Sequence, residues 1–326
     1  MDETLFGALL ASTLRVATPL IFCALAGLLA ERSGVIDLGL EGKMLFAAFA
    51  AAAGGAVFGS TALAVLLALA TGVALSWLHG YATVSHGGDQ VVSGMAINII
   101  AAGLTAVLGI AWFQQGGQTP PVSDAVRLHA LWPQAQHTLE RVPRVGALLG
   151  PLLGDGLLSH NLLVYVALLA VGGVGWMLMR TRLGLRLRAV GENPAMVEAA
   201  GVSVLRLRYM ALSVNGVLCG LAGSYLTLAQ NAAFAPNMTA GRGYMALAAL
   251  IFGGWRAVPA LFACLLFGFL DAVAIRLQGV HLMGVGEVPV QAIQALPYLL
   301  TVVLLAGFVG RTAAPRALGV PYVKER

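Results

Sequence analysis

Long apolar runs are the feature that most constrains how this chain can fold. Runs of close to 20 apolar residues recur along its 326 residues, and a helix of about 20 such residues spans the roughly 30 Å hydrocarbon core of a bilayer. Hydrophobic residues make up 59% of the chain and charged residues 10%, whereas a soluble domain has about 25% charged residues. Because backbone polar groups in lipid must be paired internally, the chain is predicted to be an all-α polytopic membrane protein.

Nine segments are apolar enough to be predicted spans, which makes residues 1–326 one transmembrane domain. They are Leu5–Ala30, Met44–Phe58, Thr61–Leu78, Val91–Phe113, His160–Met179, Tyr209–Leu228, a short Tyr244–Trp255, Val258–Ile275 and Val290–Val309. Polar, glycine-rich breaks separate several of them, so we expect some of the helices to be discontinuous. The 41 glycines also predict closely packed helices.

The distribution of arginine predicts the orientation in the membrane. Six of the 19 Lys and Arg residues lie in the loop 180–208, and positive charge in short loops marks the cytoplasmic side. The basic tail 310–326 is assigned to the same side, because an even number of spans separates it from that loop. This count places the long polar segment 114–159 and the N-terminus outside.

A short surface helix is predicted within the cytoplasmic loop. Asn193 can cap it, Pro194 suits its first turn and Gly201 can end it. Between them lie good packing residues, namely Met196, Val197, Ala199 and Ala200. A short helix beneath a membrane domain indicates a docking site for a cytoplasmic protein.

Two polar breaks are candidate elements of a translocation path. The string ERSGVIDLGLEGK, residues 31–43, contains Asp37 and Glu41 among several possible helix breaks. Non-helical backbone at membrane depth occurs where it lines a cavity or is buried in protein, so the backbone break is interpreted as bordering the path. For the carboxylates themselves we favour the alternative, an ordinary cytoplasmic turn in which Arg32 and Lys43 neutralise the acids.

The second break, GGDQVVSGMAIN, spans residues 87–98 and brings polar side chains into an apolar run. Asp89, Gln90, Ser93 and Asn98 belong to it, and Asn215 poses the same question in a later span. A polar side chain inside a span needs a hydrogen-bond partner. A substrate contact and a hydrogen bond between helices are equally good explanations here.

Several other classes of function find no support in the sequence. The six histidines show no metal-ligand spacing, Cys23, Cys219 and Cys264 lie inside apolar runs, and no catalytic set or Walker motif is present. No basic run is interleaved with aromatic residues, so a nucleic-acid partner is not expected. We therefore expect no catalytic residues, no bound metal and an energy source outside this chain.

Four strings resemble the permease subunits of bacterial ABC importers. They are ERSGVIDLGLEG, GGDQVVSGMAIN, RTRLGLRLRAVGENPAMVEAAGVSV and MTAGRGYMALAALIFGGW, and the resemblance runs in order from about Leu20 to about Tyr298. Within the ribose/branched-chain amino acid permease superfamily, they look most like the purine nucleoside (guanosine-type) branch. That branch works with lipoprotein binding proteins of the basic membrane protein type.

The resemblance implies a set of partners and a role for the loop. It implies a heterodimer with a second, related permease, a cytoplasmic ATPase that holds ATP and Mg²⁺, and an external binding lipoprotein or periplasmic protein, in the bacterial cytoplasmic (inner) membrane. Residues 192–201 match the coupling helix that docks on the ATPase: Glu192, Asn193, Pro194, Met196, Val197, Glu198, Ala199, Ala200 and Gly201. Many relatives have Asn at the position of Asp37.

The expected function is therefore ATP-driven nucleoside import by alternating access, without enzymatic activity in this chain. Riboflavin, a pentose or another small polar metabolite are alternative substrates. An ion-coupled secondary transporter is the rival class, but it would usually need a membrane-embedded carboxylate pair. Asp271 is the only acid deep within a predicted span, and Arg276 is available as its helix-end partner.

Overall fold

The computed structural model describes residues 3–133, 154, 156–277, 281–282, 286–287, 295, 299, 303 and 313–322. Its α-helices in chain order are α1 Glu3–Arg32, α2 Leu40–Phe58, α3 Thr61–Gly80, α4 Gln90–Phe113, α5 Leu162–Arg180, α6 Arg182–Glu192, α7 Pro194–Ala199, α8 Val204–Tyr225, α9 Arg242–Phe252 and α10 Ala257–Leu277. Short π-helical turns, Tyr81–Ser85 and Leu226–Asn231, extend α3 and α8. Two-residue strands, β1 His281–Leu282 and β2 Gly286–Glu287, form an antiparallel pair.

The helices confirm the predicted membrane architecture. Within the described residues, α1–α5, α8 and α10 are long and apolar enough to cross a bilayer, and α9 is a shorter apolar helix. Eight of the nine predicted spans thus have a helical counterpart, and the ninth, Val290–Val309, lies outside the described residues apart from single positions. Helix α2 begins at Leu40 rather than at the predicted Met44, because the charge of Lys43 is paired inside the protein instead of marking the end of the helix.

Helix α1 is the centre of the bundle. It packs against α5, α8, α9 and α10, and its buried side chains include Leu20, Phe22 and Leu25. A helix with apolar residues all round is typical of a buried or membrane-spanning position. The surrounding helices expose large apolar side chains on their outer faces, such as Ile99, Leu169 and Phe262.

Glycines bring α3 and α8 into backbone contact. A Cβ atom added to Gly216 would lie 2.5 Å from the carbonyl oxygen of Gly72, and one added to Gly220 would lie 2.7 Å from Cα of Leu69. Gly216 and Gly220 are four residues apart and therefore lie on one face of α8, the small-residue spacing that allows close helix packing in membranes. The glycine content predicted this kind of contact, although not which helices make it.

We expect Gly216→Ala to destabilise the protein, because the new methyl group would collide with the backbone of α3. Overpacking of this kind costs about 1–3 kcal/mol. The matched control is Gly172→Ala on α5, where an added Cβ meets no atom within 4 Å. Thermal unfolding of the detergent-solubilised variants should show a lower midpoint for Gly216→Ala only, and equal midpoints would contradict this packing argument.

Candidate functional site

The predicted break between the first two spans is real and is held by side chains from other helices. It is the segment Ser33–Gly39, called the helix break below, which follows α1 through Gly34 at φ +86°. The Ile36 N–H donates to Oε1 of Gln90 at 2.6 Å. Nε2 of His79 lies 2.9 Å from the Ile36 carbonyl oxygen, so this nitrogen carries the proton. The break thus obtains from α3 and α4 the hydrogen bonds that a continuous helix would have supplied itself.

A buried ion pair joins the helix break to the first turn of α2. Nζ of Lys43 is 2.6 Å from Oδ2 of Asp37, and both side chains are fully buried. The same ammonium group donates to Oδ1 of Asn215 at 3.1 Å, which also accepts from the Ser76 hydroxyl at 2.9 Å. Lys43 therefore neutralises Asp37 as predicted, but the predicted ordinary cytoplasmic turn is wrong for this pair, because both side chains are fully buried.

The other predicted neutralisation has a different outcome. Arg32 donates through Nε and Nη2 to the carbonyl oxygen of Trp255 at 3.0 and 2.7 Å. The indole N–H of Trp255 in turn donates to the Glu31 carboxylate. Arg32 thus fixes the connection between α9 and α10 rather than pairing with an acid of the helix break, because that connection packs directly against the end of α1.

Asn98 joins three elements at the start of α2. Its Oδ1 accepts from the Gly42 N–H at 2.7 Å, and its Nδ2 donates to the Leu38 carbonyl and to the Tyr244 hydroxyl at 2.9 and 2.8 Å. A Cβ atom on Gly42 would lie 2.7 Å from Cα of Asn98, so α2 and α4 are in backbone contact at this point. These bonds use both groups of the amide for contacts between helices.

Glu41 caps the half-length helix α9. Its two carboxylate oxygens accept from the backbone N–H groups of Gly241 and Gly243 at 2.8 and 2.6 Å. A carboxylate at a helix N-terminus satisfies unpaired N–H groups and interacts favourably with the helix dipole. Glu41 therefore stabilises the N-terminus of a helix that lies 200 residues away in sequence. Sequence reasoning missed this pairing, for which the glycines around Arg242 were the available signal.

The remaining residues of the second polar break have separate roles. Asp89 is exposed, and its Oδ1 accepts from the Val92 N–H at 2.9 Å as the N-cap of α4. Ser93 lies 3.0 Å from Nδ1 of His79. The structure therefore brings six of the seven predicted path residues to the helix break and its neighbours, while Asp89 caps a helix at the surface. Contact of any of them with substrate stays a prediction.

Asp271 lacks the partner predicted for it. Among the ion pairs of the described residues, none joins Asp271 to Arg276. Asp271 is half-buried and lies in α10. The helix-end ion pair suggested by the sequence spacing is therefore wrong, because positions five residues apart on a helix do not face each other.

The predicted surface helix is α7, with the predicted ends. Oδ1 of Asn193 accepts from the Met196 N–H at 3.1 Å, Pro194 occupies the first position, and Gly201 follows the helix at φ +77°. Met196 is 69% exposed, whereas the adjacent Val197 is buried. The helix is therefore capped, anchored by Val197 and exposed at Met196.

Helix α7 is attached to the bundle through a small core of its own. We call this core the coupling cluster, and it consists of Leu187, Val190, Val197, Val204, Leu207 and Ala211. It joins α6, α7 and the first turns of α8, so a force on α7 reaches a membrane span directly. Sequence analysis did not predict α6, because its arginines were interpreted only as markers of orientation.

Buried charge at the helix break gives a sharp test of the structure. Asp37→Asn leaves the buried Lys43 ammonium group without its counter-charge, and breaking a buried pair in this way costs about 3–5 kcal/mol. We expect a lower thermal midpoint for the purified Asp37→Asn protein. The double variant Asp37→Asn/Lys43→Met should recover most of the loss, and a single variant as stable as the unaltered protein would contradict the buried pair.

The fold, the broken helices and the capped surface helix are those of a polytopic membrane transport subunit, and the sequence comparisons give its family. Residues 9–308 match the family described as branched-chain amino acid transport system / permease component. The chain belongs to this family of permeases.

Three relatives indicate where in the family the chain falls. The guanosine ABC transporter permease protein NupQ of Bacillus subtilis (strain 168) is 34% identical over 97% of this chain and 96% of its own length. The nucleoside ABC transporter permease protein NupC of Lactococcus lactis subsp. cremoris (strain MG1363) is 34% identical over 98% and 97%. The putative glucose ABC transporter permease protein TsgC13 of Haloferax volcanii is 35% identical over 97% and 98%.

Proposed function

We propose that this chain is the membrane-spanning subunit of an ATP-driven importer and that α7 is its docking helix for a cytoplasmic ATPase. The observation that carries the proposal is the construction of α7, which exposes Met196 while Val197 anchors it in the coupling cluster. A partner that pushes on the exposed face therefore moves α6 and α8 with it. ATP and Mg²⁺ would be held by that partner, and ATP would drive import by binding one conformation better than the other.

The proposed substrate is a nucleoside of the purine type. Two relatives of nearly full-length overlap are named for guanosine and nucleoside transport. The buried polar groups near the helix break also suit a neutral solute, since the Asp37 charge is already paired with Lys43. The third relative, named for glucose, makes a sugar the second candidate.

The proposed assembly has four kinds of component. A second, related permease would cover part of the exposed apolar surface on α4, α5 and α10, with lipid covering the rest; Ile99, Leu169 and Phe262 are 70%, 74% and 64% exposed. An external binding protein would deliver the substrate, and the ATPase would act from the cytoplasm. The bacterial cytoplasmic membrane is the proposed location.

Uptake by the reconstituted complex tests the proposed function. Proteoliposomes that contain the permeases and the ATPase, supplied with the binding protein and internal ATP, should accumulate labelled guanosine. Excess unlabelled guanosine should block this uptake, whereas glucose and riboflavin should not. Mutation of the Walker lysine of the ATPase should abolish it.

Two outcomes would redirect the proposal. Competition by glucose instead of guanosine would transfer the substrate assignment to sugars. Uptake that survived the Walker mutation but collapsed with a protonophore would replace the ATP-driven importer with an ion-coupled transporter.

The docking role of α7 is tested separately. Met196→Asp places a charge at the centre of the proposed interface and should reduce co-purification of the ATPase about tenfold or more, the scale of an interface hot spot. Charge reversal at Glu192 or Glu198 should also uncouple the ATPase from the permease. The control is Leu131→Asp, since Leu131 is 46% exposed but lies on the segment before α5. Undiminished ATPase binding by Met196→Asp would refute the docking role.

A further inference from the structure

The C-terminal segment, residues 313–322, returns to the helix break and to the end of α6. The Ala317 N–H donates to the Gly191 carbonyl oxygen at 2.8 Å, and the Gly319 N–H donates to the Gly34 carbonyl oxygen at 3.2 Å. Gly34 and Gly191 themselves touch, because a Cβ atom added to Gly191 would lie 3.4 Å from the Gly34 nitrogen. Three segments far apart in sequence therefore meet at one backbone junction.

Arg208 closes this junction from α8. Its side chain is 1% exposed. Its Nε donates to the Ser33 carbonyl oxygen at 3.2 Å, and its Nη2 lies 3.5 Å from the Val320 carbonyl oxygen. Burial of a charged group is costly unless it is hydrogen-bonded, so the guanidinium group holds the helix break and the C-terminal segment at fixed positions relative to α8.

The C-terminal segment also belongs to the core around α7. Tyr322 packs against the coupling cluster together with Val202. Helices α6 and α7, the start of α8 and the C-terminal segment therefore share one packed core. Backbone bonds and Arg208 connect that core to the helix break.

A cleft lies between part of this unit and the connection between α3 and α4, which Ser85 joins to Tyr209 of α8 by a hydrogen bond of 2.8 Å. Its volume is about 510 Å³, and it lies between Val84–Gly87 on one side and Glu198, Val204, Arg208 and Tyr322 on the other. Packed interiors have few voids larger than a water molecule. The cleft therefore leaves open space beside Glu198, Arg208 and Tyr322, whereas the segments at the backbone junction are joined directly by hydrogen bonds.

We propose that the C-terminal segment straps the docking helix to the helix break, and that Arg208 is the positioning residue through which movement of α7 reaches the Ser33–Gly39 segment. This inference rests on the proposed function, because it takes α7 to be the site at which the ATPase acts. It adds a second connection beside α8 itself. The strap makes α7 and the helix break move together.

Removal of the Arg208 contacts should separate ATP hydrolysis from transport. In the complete complex, Arg208→Gln should keep ATPase binding and basal ATP hydrolysis but reduce the uptake of guanosine per ATP hydrolysed at least about fivefold, the lower end of ordinary coupling between sites. Arg208→Lys, which keeps the charge, should recover part of the ratio. Arg206→Gln, two residues away and exposed, is the matched control and should leave the ratio unchanged.

An unchanged ratio in Arg208→Gln would overturn the proposal, as would an equal loss in the Arg206→Gln control. A purely structural role would lower the amount of complex without changing uptake per ATP.

A cross-link provides a test that does not depend on the folding of an Arg208 variant. Val202→Cys/Tyr322→Cys places two thiols against the same cluster, and the natural cysteines Cys23, Cys219 and Cys264 are buried. Joining the new pair with a flexible bifunctional maleimide should leave uptake within about twofold of the unlinked protein if the strap and α7 move as one body. Loss of uptake on cross-linking would overturn the proposal.

The proposed substrate and the proposed role of the C-terminal segment can be refuted separately. If the unaltered complex imports no nucleoside, the proposed substrate fails. The strap is then judged from ATP hydrolysis alone: stimulation by the binding protein should be lost in Arg208→Gln and kept in Arg206→Gln and after cross-linking.

Discussion

The absence of water inside a bilayer is the constraint on which this structure depends. A helix that breaks within a membrane protein exposes N–H and C=O groups, and each must find a partner within the protein. Here Ile36 is paired on both sides by Gln90 and His79, and Gly42 is paired by Asn98. The backbone groups that the break leaves without helical partners therefore hold α3 and α4 in position around it. Asn98 of α4 holds the start of α2 in the same way.

The same constraint explains the charges near the break. Lys43 neutralises Asp37, and Glu41 satisfies the exposed N–H groups of α9. Asp37, Lys43 and Glu41 thus each have a partner within the protein. Most polar side chains near the break are hydrogen-bonded within the protein. Two groups are not: Nε2 of Gln90 and Nδ2 of Asn215 are buried without a hydrogen-bond partner.

Sequence reasoning predicted what depends on local pattern. The apolar runs gave the positions of eight helices, and the order Asn193, Pro194 and Gly201 gave the ends of α7, because capping is decided within a few residues. The approximate location of both breaks also followed from glycine and polar content. Side-chain roles within them were left open between a substrate contact and a hydrogen bond between helices. The structure supplies the hydrogen bonds for Asn98 and Asn215.

Contacts between residues far apart in sequence could not be predicted from local pattern. Nothing near Glu41 in the chain indicates Gly241 and Gly243, and nothing near Arg208 indicates Ser33 or Val320, because these pairs arise only when the helices pack. Helix α6 was missed for a different reason. Its alternation of arginine with leucine was explained by membrane orientation alone, although Leu187 and Val190 form part of a buried core.

The glycine contact between α3 and α8 has a mechanical consequence. Side chains that interlock between helices must change rotamer before the helices can slide. At Gly72, Gly216 and Gly220 the backbones are in direct contact, and no side chain has to change rotamer. Small sliding movements of packed helices are one of the ordinary ways in which proteins change shape. At these glycines α3 and α8 can therefore move past each other without a change of rotamer, yet the contact tolerates no added methyl group. Both properties result from the close approach of the two backbones at these glycines.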